Sequence, residues 1–320
     1  MTRVRNVMKR MLLSCLIIVS LLTALGVGAL AESQIGLLKH LDVDGVDYIA
    51  KTDVTTVLLM GVDRGADDAD RARYREGGQA DFLLLVAIDH RDKQIHQLQI
   101  ERDCMAEIQT VGVLGNISGT RVSQLCLAYG MGDGGEMSCE LQRDAVSKLL
   151  LDTEIDLYAS LPLSGIGVIN DALGGVTVVI PEDFTALDPE MVKGAELTLN
   201  AQQAEYLVRG RMEIGDGTNA ARMQRQQVYM RAATGQFKAK MKEDVNFADE
   251  LLDALDDVMI SNFSRGRIIN ELNRAYQYDI LPVETLAGEY TIGADGFREF
   301  HADADALKAW VVETFYTPNN

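Results

Sequence analysis

VRGRMEIGDGTNAARMQRQQ, residues 208–227, is the stretch around which the predicted fold of this chain is organised. It contains four arginines, although the formal net charge of the 320-residue chain is −18. Between positions 201 and 240, seven lysines and arginines accompany only three acidic residues. This local excess of guanidinium groups indicates an anion-binding site, because the arginine fork matches the oxygens of phosphate and carboxylate groups.

The spacing of these residues places them on two predicted elements. Arg209 and Arg211 alternate as residues on one face of an extended segment do. Arg222 and Gln226 are four residues apart and would share one face of a helix. The link at 215–219 has turn chemistry and ends in a predicted helix N-cap. Both elements would then present arginines to one oxyanion; the alternative is a solvated basic helix with ordinary surface ion pairs.

The composition restricts the class of protein. With 47% hydrophobic and 24% charged residues, the chain is expected to fold into one large or two smaller domains. Its strong acidity argues against a general nucleic-acid binder, which needs a basic surface. We therefore expect no nucleic-acid partner.

The N-terminal segment predicts a membrane anchor. Basic residues in the tail 1–10 precede an uncharged run at 11–31, which is long enough to cross a bilayer. The positive charge predicts a cytoplasmic tail, a single transmembrane segment in the cell membrane and an extracytoplasmic remainder. A connector at 32–53 would lead to a folded domain at 54–320. Cleavage after the sequence at 29–31, which resembles a signal-peptidase site, is the alternative to a retained anchor.

The cysteines and histidines do not predict a metal site. Cys126 and Cys139 would be able to pair outside the cell, and buried free thiols are the favoured alternative. The four histidines are scattered along the chain, so a histidine-rich metal centre is not expected.

Three apolar runs predict neighbouring strands at 55–60, 82–88 and 95–100. The run at 82–88 either lines an apolar groove or packs in the core. Asp63, Asp81 and the pair Arg102-Asp103 lie at the ends of these strands. Because ligands gather at strand ends in sheets covered by helices, we expect these side chains to meet.

The remaining periodicity completes a mixed architecture. A strand at 157–162 and a second, buried in a sheet, at 176–180 are predicted. Strands and helices that alternate throughout the chain indicate an α/β or α+β sandwich. The predicted helices cover 139–151, 164–173, 199–209, 222–241, 247–259, 265–276 and 303–315.

Five stretches in order resemble the LytR-CpsA-Psr family of cell-wall glycopolymer ligases. The resemblance runs from about residue 55 to about residue 240. It is carried by LLMGVD at 58–63, QAD at 79–81, QIERD at 99–103, NDALGGV at 170–176, and residues 208–227.

This resemblance implies a single extracytoplasmic α/β/α-sandwich domain with a mixed central sheet. It also implies a phosphotransferase for cell-wall assembly. Such enzymes bind a polyprenyl-pyrophosphate-linked glycopolymer, for example a teichoic-acid-like or capsule-like polymer. With Mg²⁺ they transfer the polymer to peptidoglycan at the membrane.

The resemblance assigns roles residue by residue. Asp63 and Asp81 match the carboxylates linked to the metal. Asp103 would orient Arg102 or act as a base, and Arg211 would share catalysis with Arg102. The positions implied to bind the pyrophosphate are Arg102, Arg209, Arg211, Arg222, Gln226 and Gln79.

Three positions depart from the family pattern. Gln79 stands where the family usually has arginine, and an arginine of the loop at 71–75 is a candidate replacement. Asn219 replaces a frequent aspartate, and Glu101 a common proline. The departures at Gln79 and Asn219 favour the alternative to a ligase, which is a non-catalytic polyprenyl-phosphate-binding regulator or assembly factor. A pyrophosphatase is a third alternative, since water would be able to replace the sugar acceptor at the same site.

Overall fold

A computed structural model describes residues 40–63, 78–162, 164–210 and 214–319. The chain forms two compact units. One comprises the residues up to 52 together with 315–320, and the other comprises residues 53–314. The larger unit carries all the candidate site residues that the structure describes.

The described residues form fifteen strands and seven α-helices. The strands are β1 His40–Val43, β2 Val46–Ala50, β3 Val54–Val62, β4 Ala80–Asp89, β5 Gln94–Ile100, β6 Met105–Val111, β7 Ile117–Gln124, β8 Leu157–Pro162, β9 Thr177–Val179, β10 Glu196–Thr198, β11 Ile260–Ser261, β12 Asp279–Thr285, β13 Gly288–Ile292, β14 Arg298–Ala302 and β15 Tyr316–Pro318. The helices are α1 Glu136–Leu149, α2 Ser164–Ala172, α3 Ala201–Arg209, α4 Asn219–Glu243, α5 Phe247–Leu255, α6 Arg265–Ala275 and α7 Ala304–Phe315.

A six-stranded sheet in the order β11-β8-β3-β4-β5-β12 forms the centre of the larger unit. Strand β4 lies antiparallel to both β3 and β5, whereas β8 is parallel to β3 and β12 is parallel to β5. Leu58, Leu83 and Leu85 have no exposed surface, because this sheet is covered on both faces. The prediction of a mixed α/β fold with a mixed central sheet is confirmed.

Strand β8 shows how helices cover the two faces. Its side chains alternate, as the period of a strand requires. Ser160 donates a hydrogen bond to the Tyr129 hydroxyl on the face covered by α1. Ala159 and Leu161 lie on the opposite face, in a pocket covered by α2 and α4. The layers are therefore helix, sheet and helix.

The apolar runs of the central sheet predicted its strands correctly, whereas the shorter run at 176–180 predicted its strand less well. The prediction of strands at 55–60, 82–88 and 95–100 is confirmed by β3, β4 and β5. The prediction of a buried sheet strand at 176–180 is confirmed only in part, because Val176, Val178 and Ile180 are buried but the strand is short. That segment forms only the three-residue β9, which pairs with β10 in a two-stranded sheet and leaves Val179 56% exposed. Its flanking residues are buried by helix packing instead.

The smaller unit contains a three-stranded antiparallel sheet. Strands β1 and β2 form a hairpin within the segment predicted as a connector, and β15 pairs with β2. The sheet thus joins residues from both ends of the described chain. Asn319 extends this pairing, because its backbone N–H donates to the carbonyl oxygen of Asp47 at 2.9 Å.

The predicted membrane anchor lies outside the described residues, as does the connector up to residue 39. From residue 40 onwards, none of the described helices combines the length and the apolar character that a membrane crossing requires.

Candidate anion-binding site

The predicted strand ends meet at one edge of the central sheet. Asp63 directly follows β3, Asp81 is the second residue of β4, and Arg102 follows β5. Because β4 is antiparallel to both neighbours, its beginning lies beside their ends. The predicted meeting of these residues is observed for Asp81 and Arg102, whose side chains form an ion pair.

Arg102 is the centre of the hydrogen-bond network. Its Nη1 donates to Asp81, its Nε donates to Asp103 at 3.2 Å, and its Nη2 donates to Gln79 Oε1 at 2.5 Å. Nη2 also lies 3.2 Å from the sulfur of Cys126. Burial alone would lower the pKa of Arg102, but the neighbouring acidic groups raise it, so the guanidinium stays charged.

Arg222 reaches the same carboxylate from helix α4. Its Nη1 donates to Asp81 Oδ2 at 3.1 Å, so two arginines share one aspartate. Thr218 starts the helix, since its hydroxyl oxygen accepts a hydrogen bond from the backbone N–H of Ala221. The sequence predicted the N-cap at the end of this turn, at Asn219, and the observed cap lies one residue earlier. One turn of helix separates the cap from Arg222.

Arg209 and Asp63 form a second, more exposed ion pair. The Nη2 of Arg209 lies 3.2 Å from Asp63 Oδ1, and its Nη1 lies 3.1 Å from Glu205, one turn earlier in the helix. The prediction of an extended segment at Arg209 is wrong, because this residue ends helix α3, which begins with a capping box at Asn200. Arg211 lies outside the described residues, as does the loop at 71–75.

Two other polar residues of the 208–227 stretch have mainly packing roles. Arg225 is 1% exposed and binds Glu182 and the carbonyl oxygen of Gly210, so it fixes the backbone before the link. Gln226 lines the pocket, but both polar atoms of its amide form hydrogen bonds within the protein. Its oxygen accepts from Gln99 at 2.8 Å, and its nitrogen donates to the Val208 carbonyl at 3.1 Å.

Asp103 fits the orienting role better than the role of a base. Its side chain is 7% exposed and accepts a hydrogen bond from Arg102 Nε. The pocket is lined by Asp63 and Asp81, whereas Asp103 and its partner Arg102 are both absent from its lining. A carboxylate in this position fixes the plane of the guanidinium.

An apolar pocket of about 330 Å³ leads away from the ion pairs. Asp81 lies at its polar end, and Val86 lies five residues further along β4, roughly 17 Å away at the usual strand rise. The predicted alternatives for 82–88 both hold, because alternate residues line the pocket and the others enter the core. The apolar lining includes Leu59, Phe82, Leu84, Val86, Leu161, Ile166, Ile169, Tyr229, Met230 and Ala233.

Two contacts were not predicted. Cys126 lies against Arg102, and burial raises the pKa of its thiol to about 11, although Arg102 lowers it. Cys104, Cys126 and Cys139 are all free, so the alternative pairing of Cys126 with Cys139 is not observed. Glu101 and Tyr290 form a hydrogen bond beside the cluster. Only Glu101 carried a signal in the sequence, as a departure from the family pattern.

The carboxylates of Asp63 and Asp81 offer the kind of oxygen ligand that a magnesium ion takes, although both are paired with arginines in this structure. Among the described residues, no group of three or more histidine, cysteine, aspartate and glutamate side chains surrounds a metal position. Asp63 and Asp81 both line the pocket. Mg²⁺ takes one or two carboxylates and completes its shell with water and substrate oxygens. The donor set therefore suits such an ion rather than a site closed by protein ligands.

Comparison with known proteins gives a family match and several relatives. The family model described as "LytR_cpsA_psr family" matches residues 29–312. Biofilm regulatory protein A of Streptococcus mutans is 26% identical over 274 residues, which are 83% of this chain and 64% of that protein. The polyisoprenyl-teichoic acid–peptidoglycan teichoic acid transferase TagU of Bacillus mycoides is 28% identical over 189 residues, 58% of this chain and 55% of that protein. The chain thus spans about half to two thirds of the length of these curated relatives.

Solved structures share the fold. Protein gbs0355 of Streptococcus agalactiae matches with a TM-score of 0.65 at 24% identity, covering 82% of this chain and 88% of that one. TagV of B. subtilis matches with a TM-score of 0.61 at 20% identity, covering 82% and 98%. At these identities the likeness establishes the architecture.

Proposed function

Because the chain belongs to the LytR_cpsA_psr family, we propose that it is a phosphotransferase of cell-wall assembly. It moves a glycopolymer from a polyprenyl-pyrophosphate carrier to peptidoglycan. The names of the Bacillus relatives, polyisoprenyl-teichoic acid–peptidoglycan teichoic acid transferases, support this choice of donor and acceptor.

The observation that carries the proposal is the junction of the apolar pocket with the arginine cluster. A polyprenyl-pyrophosphate donor has an apolar chain joined to two phosphates. The pocket has aliphatic walls and ends at Asp63, Asp81, Arg209 and Arg222. Its volume lies in the range that small-molecule sites occupy. The prenyl chain would enter between the sheet and α4, with the pyrophosphate at the strand ends.

The chemistry follows from this placement. The acceptor hydroxyl oxygen forms a bond to the phosphorus that carries the sugar, and the bond from that phosphorus to the bridging oxygen breaks. Polyprenyl phosphate leaves, and the hydroxyl proton passes to solvent. Arg102, Arg209 and Arg222 stabilise the charge that accumulates on the phosphate oxygens, which is the main task in phosphoryl transfer.

Mg²⁺ would be held by Asp63 and Asp81 and would neutralise charge on the pyrophosphate. The local charge balance supports a cation. Among the residues that the structure describes, three guanidinium groups, from Arg102, Arg209 and Arg222, lie among five carboxylates. A pyrophosphate diester adds two negative charges, so these arginines alone leave an excess of negative charge. The five carboxylates belong to Asp63, Asp81, Asp103, Glu101 and Glu205.

The proposal includes location. The apolar run at 11–31 would hold the protein in the cell membrane with its N-terminus inside. The folded part would then meet a lipid-linked donor and peptidoglycan outside the cell.

The test is turnover by the full chain in detergent. A polyprenyl pyrophosphate that carries a short saccharide is incubated with Mg²⁺ and a peptidoglycan fragment, and products are identified by mass spectrometry. Arg209→Ala should lower turnover about tenfold or more, because it removes a charge partner of the pyrophosphate. Arg274→Ala is the matched control, since Arg274 is also half-exposed in one surface ion pair. Donor that binds without any product in the wild type would contradict the proposed transfer.

A lipid-phosphate binder without catalysis is the second candidate. It is favoured by the ion pairs of Asp81, whose two carboxylate oxygens are bound by Arg102 and Arg222 and are therefore not free to hold a metal ion. Binding without product selects this candidate. Release of polyprenyl phosphate in the absence of the peptidoglycan fragment would instead indicate a pyrophosphatase.

A further inference from the structure

A buried carboxylate lies behind Arg222. Glu101 is 4% exposed and accepts a hydrogen bond from the side-chain amide of Asn219, which is 1% exposed. The oxygen of the same amide accepts from Arg222 Nη2. Arg222 in turn donates to Asp81 at the polar end of the pocket. A continuous chain of hydrogen bonds thus joins Glu101 to the proposed pyrophosphate site.

The chemistry of the three groups fixes the direction of this chain. An ionised carboxylate only accepts hydrogen bonds, and a guanidinium only donates them. The Asn219 amide does both, so it adapts one group to the other. With its nitrogen held by Glu101, its oxygen must face Arg222. Without that acceptor, the amide would lose the contact that selects one of its two orientations.

The C-terminal hairpin β13–β14 holds Glu101 from the other side. The Tyr290 hydroxyl donates to Glu101 Oε2 at 2.7 Å. Burial and the hydrogen bond to Glu101 raise the pKa of Tyr290, so its hydroxyl remains a donor at neutral pH. The hairpin is attached to the site segment, because the backbone N–H of Phe300 donates to the Asp103 carbonyl at 2.9 Å.

We propose that Glu101 is a positioning residue for Arg222, acting through Asn219, and that Tyr290 links the C-terminal hairpin to the same function. This inference rests on the proposed function, since it assigns how that site binds the pyrophosphate. Glu101 is absent from the lining of the pocket, so it would act without touching the substrate. Its effect is to hold one guanidinium in the orientation that discriminates a diphosphate from a monophosphate.

The first test uses the full chain and geranylgeranyl diphosphate as the probe, with geranylgeranyl monophosphate as the reference ligand. Glu101→Met removes the acceptor and should lower diphosphate affinity about tenfold or more, comparable to the loss of one hydrogen bond to a charged group, because Asn219 would no longer hold Arg222 in its binding orientation. Glu101→Gln keeps an acceptor for Asn219 and should stay within about threefold of the wild type. Monophosphate affinity should change little in either variant.

Stability is measured in parallel by urea unfolding. A purely structural role would lower the stability of Glu101→Met and leave the ratio of diphosphate to monophosphate affinity unchanged. That result would overturn the inference.

The second test exchanges the charges. Asn219→Asp places a carboxylate against Glu101 and should weaken diphosphate binding, because two buried carboxylates repel each other. The double variant Glu101→Gln with Asn219→Asp moves the charge beside Arg222 and supplies an amide donor for it. Affinity should then recover at least tenfold over Asn219→Asp alone. Losses that simply add would show that the two residues act independently and would refute the coupling.

The third test concerns the hairpin. Tyr290→Phe should lower diphosphate affinity by a few-fold, as expected for one hydrogen bond to a charged group. Tyr316→Phe, at the buried tyrosine of the small sheet, is the control and should bind as the wild type does. Equal affinities in all three proteins would remove Tyr290 from the proposal.

The outcomes separate the two proposals. A wild-type protein that binds no diphosphate would contradict the proposed function. If the wild type binds diphosphate and the variants bind it equally well, only the positioning role is contradicted.

Discussion

At the scale of single residues, the site depends on arginines that are oriented before any ligand binds. Arg102 uses three of its nitrogens on Asp81, Asp103 and Gln79. A planar fork that is held on several sides loses little freedom when a phosphate binds. The neutral side chain at position 79, a departure noted in the sequence, serves here as an acceptor for Arg102.

Arg102→Lys tests this geometry. A lysine keeps the charge but has a single ammonium in place of the fork, so it is unable to reach all three acceptors. We expect at least about a hundredfold loss in turnover, the usual cost of displacing a group that stabilises the transition state. Turnover of the saccharide-bearing donor, measured at saturating donor, is the readout. Arg121→Lys, on the exposed strand β7, should remain active; a fully active Arg102→Lys protein would show that charge alone suffices.

The sequence predicted which residues at the strand ends form the site, but it did not predict all of their contacts. Asp81, Arg102 and Arg222 were assigned from motifs, and they meet as expected. The contact between Glu101 and Tyr290 joins residues 189 positions apart, and no local pattern encodes such a pairing. Arg225 shows the opposite failure, because a basic helix residue next to the site is buried as a structural anchor.

At the scale of elements, the start of α4 determines where Arg222 points. Thr218 caps the helix and is itself held by Asp216, whose carboxylate accepts from the Thr218 hydroxyl at 2.7 Å. Asn219 and Arg222 lie in the first turn, where a frayed helix would move them most. The cap therefore couples local helix stability to the orientation of the arginine.

Thr218→Ala should lower the free energy of unfolding by about 1 kcal/mol, the typical value of an N-cap. It should also raise the amide exchange rate at residues 219–222 and weaken diphosphate binding. Denaturant unfolding and hydrogen exchange are the measurements. Thr218→Ser retains the hydroxyl and is the matched control. Faster exchange in both variants would indicate that the threonine methyl group, not the cap, maintains the turn.

The same scale explains which elements the sequence predicts. Runs such as Phe82–Ile88 are apolar on both faces and identify central strands without ambiguity. The pairing of β6 with β7 and of β13 with β14 was not predicted. One strand of each hairpin, β7 in the first and β13 in the second, is largely exposed, so no buried apolar face marks it in the sequence. Val113 and Leu114, at the tip of the first hairpin, are 93% and 89% exposed, which reverses the usual association of aliphatic residues with burial.

At the scale of the whole molecule, buried thiols make the fold sensitive to alkali. Burial raises the pKa of Cys126 from 9.0 to about 11, and those of Cys104 and Cys139 to about 12. At a pH between 9 and these raised pKa values, the thiols are protonated in the folded chain but largely ionised in the unfolded chain. Stability is therefore complete below about pH 9 and is lost as the pH rises towards 11.

Each thiol should lower the free energy of unfolding by at most about 1.4 kcal/mol per pH unit within this window. Urea unfolding at pH 8, 9, 10 and 10.5 measures the slope. The variant in which alanine replaces all three cysteines should show a smaller slope, whatever its stability at pH 8. An unchanged slope in that variant would assign the alkaline loss to other groups.

The sequence predicted the overall architecture better than it predicted the division of the chain into two compact units. The order of motifs indicated one domain from residue 54 onwards, and the family match covers residues 29–312. The three-stranded sheet was not predicted, because β1, β2 and β15 are short and the pairing of β15 with β2 joins residues that are more than 260 positions apart. Long-range pairing of short strands leaves no periodic trace in a sequence.

That sheet has a practical consequence. Strand β15 fastens the end of the described chain to β2, and the side chain of Asn319 donates to Asp47 at 2.6 Å. A fluorophore or affinity handle attached after residue 319 would emerge beside residue 47. Such a label would report on the segment next to the predicted anchor, and a handle meant for immobilisation belongs on another surface.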